Sequence, residues 1–378
     1  MSDPAYPAAR AVAAKIEAHF GRHLALAERN GARDLAPLAD AAAIETLIDA
    51  AFWASLRREE GVTPTISLAF VPPMVAGQPL LFESPLPLHP AALARLAPAV
   101  ERAGIHLGVW RVDNELRVWG TSRSLPPVCF VIEVVASGLL VIKHRSEPFG
   151  KFVNVAVLEG DQIKFVDEGT ARTPECPRLV ASLLGVEVPG VRAESVNVLV
   201  QIAASMRRHR RGGALLVVPT GSVGWHDSIV SPVLYAVQPP FSELAELMQR
   251  SPELQKTEQW QDDLRESVDA IAGLTAVDGA TVINDRYELV AFGAKITRRR
   301  GNPPVERTVV TEPVEGNTMT MATPYQLGGT RHLSAAQFVQ DQRDATALVA
   351  SQDGRFTIFK WSERDDAVHA HRVEVLLL

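Results

Sequence analysis

Over residues 7–54, apolar positions such as Ile44, Leu47, Ile48 and Ala51 recur at i, i+3, i+4 and i+7 in a stretch rich in Ala and Leu, which predicts helix. Pro72, Pro73, Pro79, Pro85, Pro87 and Pro90 then predict an irregular crossing segment, followed by an amphipathic helix from Ala91 to Ala103. After that the period shortens to two. Residues 108–119 alternate about Asp113-Asn114, a pair that tolerates the positive φ of a tight hairpin. Two further hairpins are expected, 128–135 with 139–144 about Ser137-Gly138, and 152–158 with 162–166 about Gly160-Asp161. The first 170 residues therefore read as helices around an antiparallel sheet.

Prolines and glycines over 169–190 interrupt a short helix near Leu179–Leu184 and mark a boundary, giving domains 1–190 and 191–378. Beyond it, Val196, Leu199, Val200, Ala203 and Met206 form an apolar helical face closed by the basic run 207–211, which reads as a solvated helix end. Gly212-Gly213 turns the chain into the continuous apolar run 214–218, the pattern of a strand buried on both faces. Further strands are expected at 280–283, 289–292, 346–351 and 355–360, with turns at Asn284-Asp285 and Asp353-Gly354. The fold class is α/β, α+β overall: a C-terminal mixed sheet flanked by helices behind an N-terminal module of helices and antiparallel sheet.

Composition narrows the class. The 378 residues are 47% hydrophobic and carry 38 Lys plus Arg against 44 Asp plus Glu, a formal charge of −6. Neither half is a basic nucleic-acid arm, so no nucleic-acid partner is expected. Cys129 and Cys176 are the only cysteines, which excludes a disulfide framework and fits a reducing cytosol, with one optional bridge left open. The most apolar run, 128–142, holds Glu133 and Ser137 and falls short of the ~18 to 20 residues of a membrane span. The first ten residues lack the basic-then-apolar order of a signal peptide. A cytoplasmic protein without membrane partners is expected.

Common chemical signatures are absent: there is no GxxxxGKS/T, no GxGxxG, no HExxH and no paired CxxC. His226-Asp227 reads as turn chemistry, His369 and His371 as a solvent-facing strand without a third ligand, and Cys129 as a small core residue. Two segments stand apart. In Asp278-Gly279-Ala280 an acid and a glycine precede a buried strand, pinning a carboxylate where a ligand can approach bare backbone. In Gly328-Gly329-Thr330-Arg331-His332 a glycine turn, a hydroxyl, an Arg fork and an imidazole meet at the start of a helix, which suits phosphate. The plainer alternative is a capped helix with a surface Arg.

From Gly212 onward the order of parts resembles the diadenylate cyclase family, the DisA-type nucleotide-binding domain. The matching pieces are Gly213-Ala214-Leu215, Asp278-Gly279-Ala280, Gly329-Thr330-Arg331-His332 and Ser351-Gln352-Asp353-Gly354. The resemblance covers about residues 195–362, and the region before it is similar, more loosely, to the sensor modules of bacterial members. Two positions depart from the family pattern: Leu333 stands where a second Arg is usual, and Gln352 replaces a carboxylate. The segment from Thr297 to Leu327 is long for the family and reads as a lid or interface element.

The resemblance implies an enzyme that condenses two ATP into cyclic di-AMP and two pyrophosphates with Mg²⁺ or Mn²⁺. It implies that Asp278 orients the 3′-hydroxyl and helps hold the metal, while Gly279 and Ala280 admit the nucleotide. Gly329, Thr330 and Arg331 bind triphosphate, His332 assists at the phosphates or metal, and Ser351 with Asp353 completes the phosphate and metal ring. The buried strand 214–218 lines the adenine pocket. Two such sites must face each other, so a homodimer or larger assembly is implied, controlled by a signal at the N-terminal module. The alternative is a nucleotide-binding sensor of the same fold whose turnover is weakened by Leu333 and Gln352; a purely structural role needs neither motif to bind anything.

Overall fold

The computed structural model describes residues 5–58, 61–102, 104–145, 151–173, 176–185, 197–255 and 257–378. The boundary expected at 190/191 and Val196 lie outside the described residues, as does Ala103; the helix expected over 91–103 is shorter, ending at Leu96, with a tighter turn over Ala97–Ala99 where Pro98 interrupts it. The chain divides into two compact units, one holding the described residues up to 167 and the other holding 168–185 and 197–377.

The first unit contains helices α1 (Pro7–Arg29), α2 (Ala41–Ser55) and α3 (Pro90–Leu96). Its strands are β1 (Ile66–Phe70), β2 (Leu80–Pro87), β3 (His106–Val112), β4 (Glu115–Ser122), β5 (Phe130–Ala136), β6 (Leu139–Arg145), β7 (Phe152–Glu159) and β8 (Gln162–Phe165). The predicted helical stretch is two helices, because Gly31 takes φ +84° after α1 and the Asp40 carboxylate restarts the helix by accepting from the Ala43 N–H at 2.8 Å. The strands form one sheet in the order β2-β4-β3-β1-β5-β6-β7-β8. It is mixed rather than antiparallel throughout, since β1 runs parallel to β3. One strand, β2, lies in the segment expected to be irregular, and β1 lies just before it, where no element was expected. β1 is buried at every position, Ser67 included, and β2 carries Pro85 and Pro87 at the sheet edge, where proline is tolerated. All three hairpins form, with Asp113 and Asn114 at φ +51° and +65°. Val12, Ile16 and Phe20 of α1 and Ile44, Leu47 and Ile48 of α2 bury one sheet face with Leu68, Ile132, Leu140 and Ile142. Cys129 is fully buried, which pushes its thiol up.

The second unit contains α4 (Arg178–Leu183), α5 (Val198–Arg208), α6 (Glu243–Gln249), α7 (Pro252–Gln255), α8 (Glu258–Leu274), α9 (Pro324–Leu327) and α10 (Thr330–Asp341). Its strands are β9 (Gly213–Val218), β10 (Tyr235–Phe241), β11 (Ala280–Asn284), β12 (Leu289–Ala294), β13 (Thr308–Thr311), β14 (Thr320–Ala322), β15 (Thr346–Ala350), β16 (Phe356–Ser362) and β17 (Ala367–Arg372). They form a nine-stranded mixed sheet, β10-β12-β11-β9-β15-β16-β17-β13-β14, with β9 parallel to β11 and β13 parallel to β17. Ala335, Ala336, Phe338 and Val339 of α10 pack on one face with Leu216, Val218, Val282, Ala347 and Val349. Leu215, next to Leu216 and so on the opposite face, is equally buried, so the strand is covered on both sides as its apolar run predicts.

Three expectations are corrected here. The segment 297–327 is not a free lid: it supplies β13, β14 and α9, and β13 pairs with β17. His369 and His371 are buried rather than solvent-facing, because β17 lies between β16 and β13; His369 Nε2 meets Asp365 at 2.8 Å and His371 Nδ1 meets Thr311 Oγ1 at 2.7 Å. The basic run after α5 is not wholly solvated, since Arg207 donates to the carbonyls of Gly354 and Leu377. Among the described residues, no helix is long and apolar enough to cross a membrane.

Candidate functional site

Strand register collects the singled-out motifs at one end of the second sheet. β9 and β11 run parallel with Leu215 beside Thr281, and β9 and β15 run antiparallel with Gly213 beside Ala350. One step further along each strand, Asp278-Gly279, Gly212 and Ser351 stand side by side, spread over two strand spacings or about 10 Å. Motifs separated by more than a hundred residues in sequence thus share one sheet edge.

Gly279 is required where it stands. Its φ is +120°, and a Cβ there would lie 2.5 Å from the Gly293 carbonyl carbon and 2.7 Å from its oxygen. The backbone of the β11 entrance is therefore packed directly against β12, and Asp278 is held at the tip of that contact. Its carboxylate projects outward, 90% exposed, and pairs with Lys295, the residue after β12. The Lys295 ammonium holds the Asp278 carboxyl below the usual carboxylate range, and the charge of Arg331 lowers it further. Asp278 is ionised at neutral pH. An exposed, ionised carboxylate is a ligand type that suits a hard divalent cation. Ala280 follows as the first, buried residue of β11.

Gly329 is the N-cap of α10 and offers no side-chain cap; the His332 N–H donates to the Gly329 carbonyl at 3.0 Å, and Thr330 at the first helical position is exposed. Arg331 reaches back across the sheet end. One guanidinium nitrogen lies 3.1 Å from where a Cβ on Gly212 would stand, and the Ala350 carbonyl lies 3.3 Å from the same point. The guanidinium thus lies against the Gly212 turn that leads into β9.

His332 is placed differently. It is 1% exposed, its Nε2 faces Thr357 Oγ1 at 3.4 Å, and its ring lies edge-on to Phe359. The ring also fills the space where a Gly328 side chain would stand. Burial lowers its pKa to about 4, with the Asp353 charge acting in the opposite sense. A neutral, enclosed imidazole supports the glycine turn from beneath and stands away from the exposed side where Thr330 lies.

The turn after β15 is closed by the Ser351 N–H donating to Arg355 and the Gly354 N–H donating to Ser351. Asp353 is exposed and paired with Arg355 at 3.4 Å. Arg207 donates to the Gly354 carbonyl at 3.1 Å, fixing the turn from α5. Gln352 donates to the Arg211 carbonyl at 3.4 Å, and Leu333 packs against the core under α10. Both departures from the family pattern are thus occupied by contacts within the protein. His226 stacks on Trp225 and Asp227 pairs with Arg299, as a structural turn does.

The sequence did not single out two residues near this edge. Lys295 is set by the length of the β11–β12 hairpin, which no motif announces. Tyr235 starts β10, is 44% exposed, stacks on Phe292 at 4.7 Å and lies against Gly293, next to the Asp278 backbone.

Residues 33–123 match the family described as "Probable sensor domain DACNV". No curated protein matches the chain. Among solved structures, a cysteine double mutant of DacA from Staphylococcus aureus matches with 15% identity over 46% of this chain and 83% of that one, at a TM-score of 0.22.

Proposed function

We propose that this chain, whose residues 33–123 match a probable sensor domain, is a diadenylate-cyclase-family protein and condenses two ATP into cyclic di-AMP and two pyrophosphates. The observation that carries the reading is the convergence of Asp278, Gly279, Gly212, Arg331 and Ser351 at one sheet end. In each half-reaction a 3′-hydroxyl loses its proton to water as its oxygen bonds to the α-phosphorus of the facing nucleotide, the bond from that phosphorus to the oxygen bridging to the β-phosphate breaks, and pyrophosphate leaves with the electron pair. Asp278 accepts the hydrogen bond of the 3′-hydroxyl and aims it. Gly279 and Ala280 let the sugar approach bare backbone. Arg331, Thr330 and the first N–H groups of α10 hold the triphosphate and neutralise charge that grows on the leaving group. Ser351 and Asp353 border the phosphates from the β15 side, and His332 acts as a positioning residue for the glycine turn.

Asp278, with Asp353 at the edge, would hold Mg²⁺ or Mn²⁺, which when bound screens the phosphate oxygens and polarises them toward attack. Because each hydroxyl attacks the other nucleotide, two copies must bring their sites face to face, and the rate rises with protein concentration wherever that pairing is incomplete. The sensor module then acts by shifting the population of paired sites. Chromatographic identification of the products formed from ATP with either metal tests the reading. A second reading, ATP binding without turnover, draws on Leu333 being spent on the core and Gln352 on a backbone carbonyl. Saturable ATP binding with no dinucleotide product would select it.

A further inference from the structure

A second cluster of side chains with ligand chemistry lies within the first unit, on the face where α1 covers the sheet. His19 and His23 are one turn apart on α1, and His144 is near the end of β6. Their rings form a triangle, with centroids 4.4 Å apart for His19 and His23, 4.8 Å for His23 and His144, and 5.8 Å for His19 and His144. The ring planes are tilted by 30° to 48° and are not stacked. Each ring presents one nitrogen such that these atoms lie within 4.8 Å of one another.

The position of His144 is unusual for its strand. Leu140 and Ile142 precede it at spacing two on the face that packs under α1, and Phe130 is its partner across the β5–β6 ladder. An aliphatic side chain would continue that row. Instead an imidazole stands there, 4% exposed, with Phe20 of α1 edge-on to it. His19 and His23 are half-buried at the rim, so the cluster has one deep ligand and two that solvent can reach.

We propose that His19, His23 and His144 form a binding site for a divalent late transition cation of the Zn²⁺ class. Three imidazoles are a donor set such ions prefer, and hard cations such as Mg²⁺ are poorly served by it. With metal–nitrogen bonds of ~2.0 to 2.1 Å, tetrahedral ligands stand roughly 3.3 Å apart. Rotamer adjustment of the two half-buried helix residues closes the remaining distance, while the buried strand residue stays fixed. The helix spacing of four residues puts both mobile ligands on one face, directly above the strand ligand. The site gives the first unit something to sense, a metal ion, and it does not rest on the ATP reading of the second unit.

The test uses the full-length protein stripped of metal by a chelator and titrated with Co²⁺ and then Zn²⁺. One equivalent of Co²⁺ should bind with visible absorption of low-symmetry nitrogen coordination, and Zn²⁺ should displace it. His19→Gln with His23→Gln, both at half-buried positions, should weaken Zn²⁺ binding at least tenfold while leaving the circular dichroism spectrum and ATP binding unchanged. His144→Gln should do the same if it folds. Asp278→Asn should leave Zn²⁺ affinity as in the wild type, which separates this site from the phosphate edge. Equal Zn²⁺ affinity in the wild type and the folded double variant, or no Co²⁺ spectrum in the wild type, would overturn the proposal.

Discussion

Asp278 and Lys295 form an ion pair across the β11–β12 hairpin, at the point where Gly279 and Gly293 bring the two backbones into contact. The carboxylate is exposed, so the pair governs its protonation and aim more than the stability of the fold. Lys295→Met removes the main cause of the lowered carboxyl pKa. The acid limb of the pH–rate profile should then move to higher pH while the alkaline limb stays in place. An unmoved acid limb would detach Asp278 from the rate.

Arg331, at the start of α10, lies against Gly212, and on the proposed reading it meets triphosphate before the transition state. Arg331→Ala should raise the ATP concentration needed for half-saturation and also slow turnover. A charge-assisted hydrogen bond is worth about 1.5 to 3 kcal/mol, or roughly 10- to 150-fold. Equilibrium titration with a non-hydrolysable ATP analogue reads the binding part; unchanged affinity would reduce Arg331 to a surface contact.

Gly279→Ala should cost stability as well as activity. The new methyl would meet the Gly293 carbonyl at 2.5 to 2.7 Å in a backbone conformation that L residues avoid. A loss of about 1 to 3 kcal/mol is expected, read as a lower midpoint in thermal unfolding. Full stability in this variant would show that the β11 entrance is not packed as described.

Burial lowers His332 and His106 to about 4 and His371 to about 3, each below the ordinary histidine value. Between these values and pH 6.5 the unfolded chain binds more protons than the folded one, so stability rises with pH. It is complete above pH 6.5 and lost as pH falls toward 4. Each such histidine contributes about 2 kcal/mol of that loss between pH 7 and 5. Denaturant unfolding at the two pH values checks the slope, and a flat profile would contradict the buried neutral rings.

Periodicity made most of the fold legible. The three hairpins of the first unit announce themselves by alternation and turn chemistry, and the apolar run 214–218 announces a doubly covered strand. Proline hid other strands: Pro85 and Pro87 in β2 and Pro239 and Pro240 in β10 lie in edge strands, which tolerate what a central strand does not. His369 and His371 misled because burial of β17 depends on β13, a strand inside what reads as a long loop. At the phosphate edge, the order of motifs named Asp278, Gly279 and Arg331, but it could not show that His332 turns inward while the next residue, Leu333, joins the core. Lys295, Tyr235 and the His19–His23–His144 cluster were silent, because each depends on a contact between distant segments. The one local signal was the spacing of four between His19 and His23.

The central claim is that the edge gathering Asp278, Gly279 and Arg331 makes cyclic di-AMP. The direct measurement compares wild-type protein and Asp278→Asn, incubated with ATP and Mn²⁺ or Mg²⁺, with products separated by chromatography and identified by mass. The wild type should yield cyclic di-AMP and two pyrophosphates per dinucleotide. The variant, which keeps the side-chain shape but loses the charge, should bind ATP and make product at least ~10²-fold more slowly. No dinucleotide from the wild type, or equal amounts from both proteins, would contradict it.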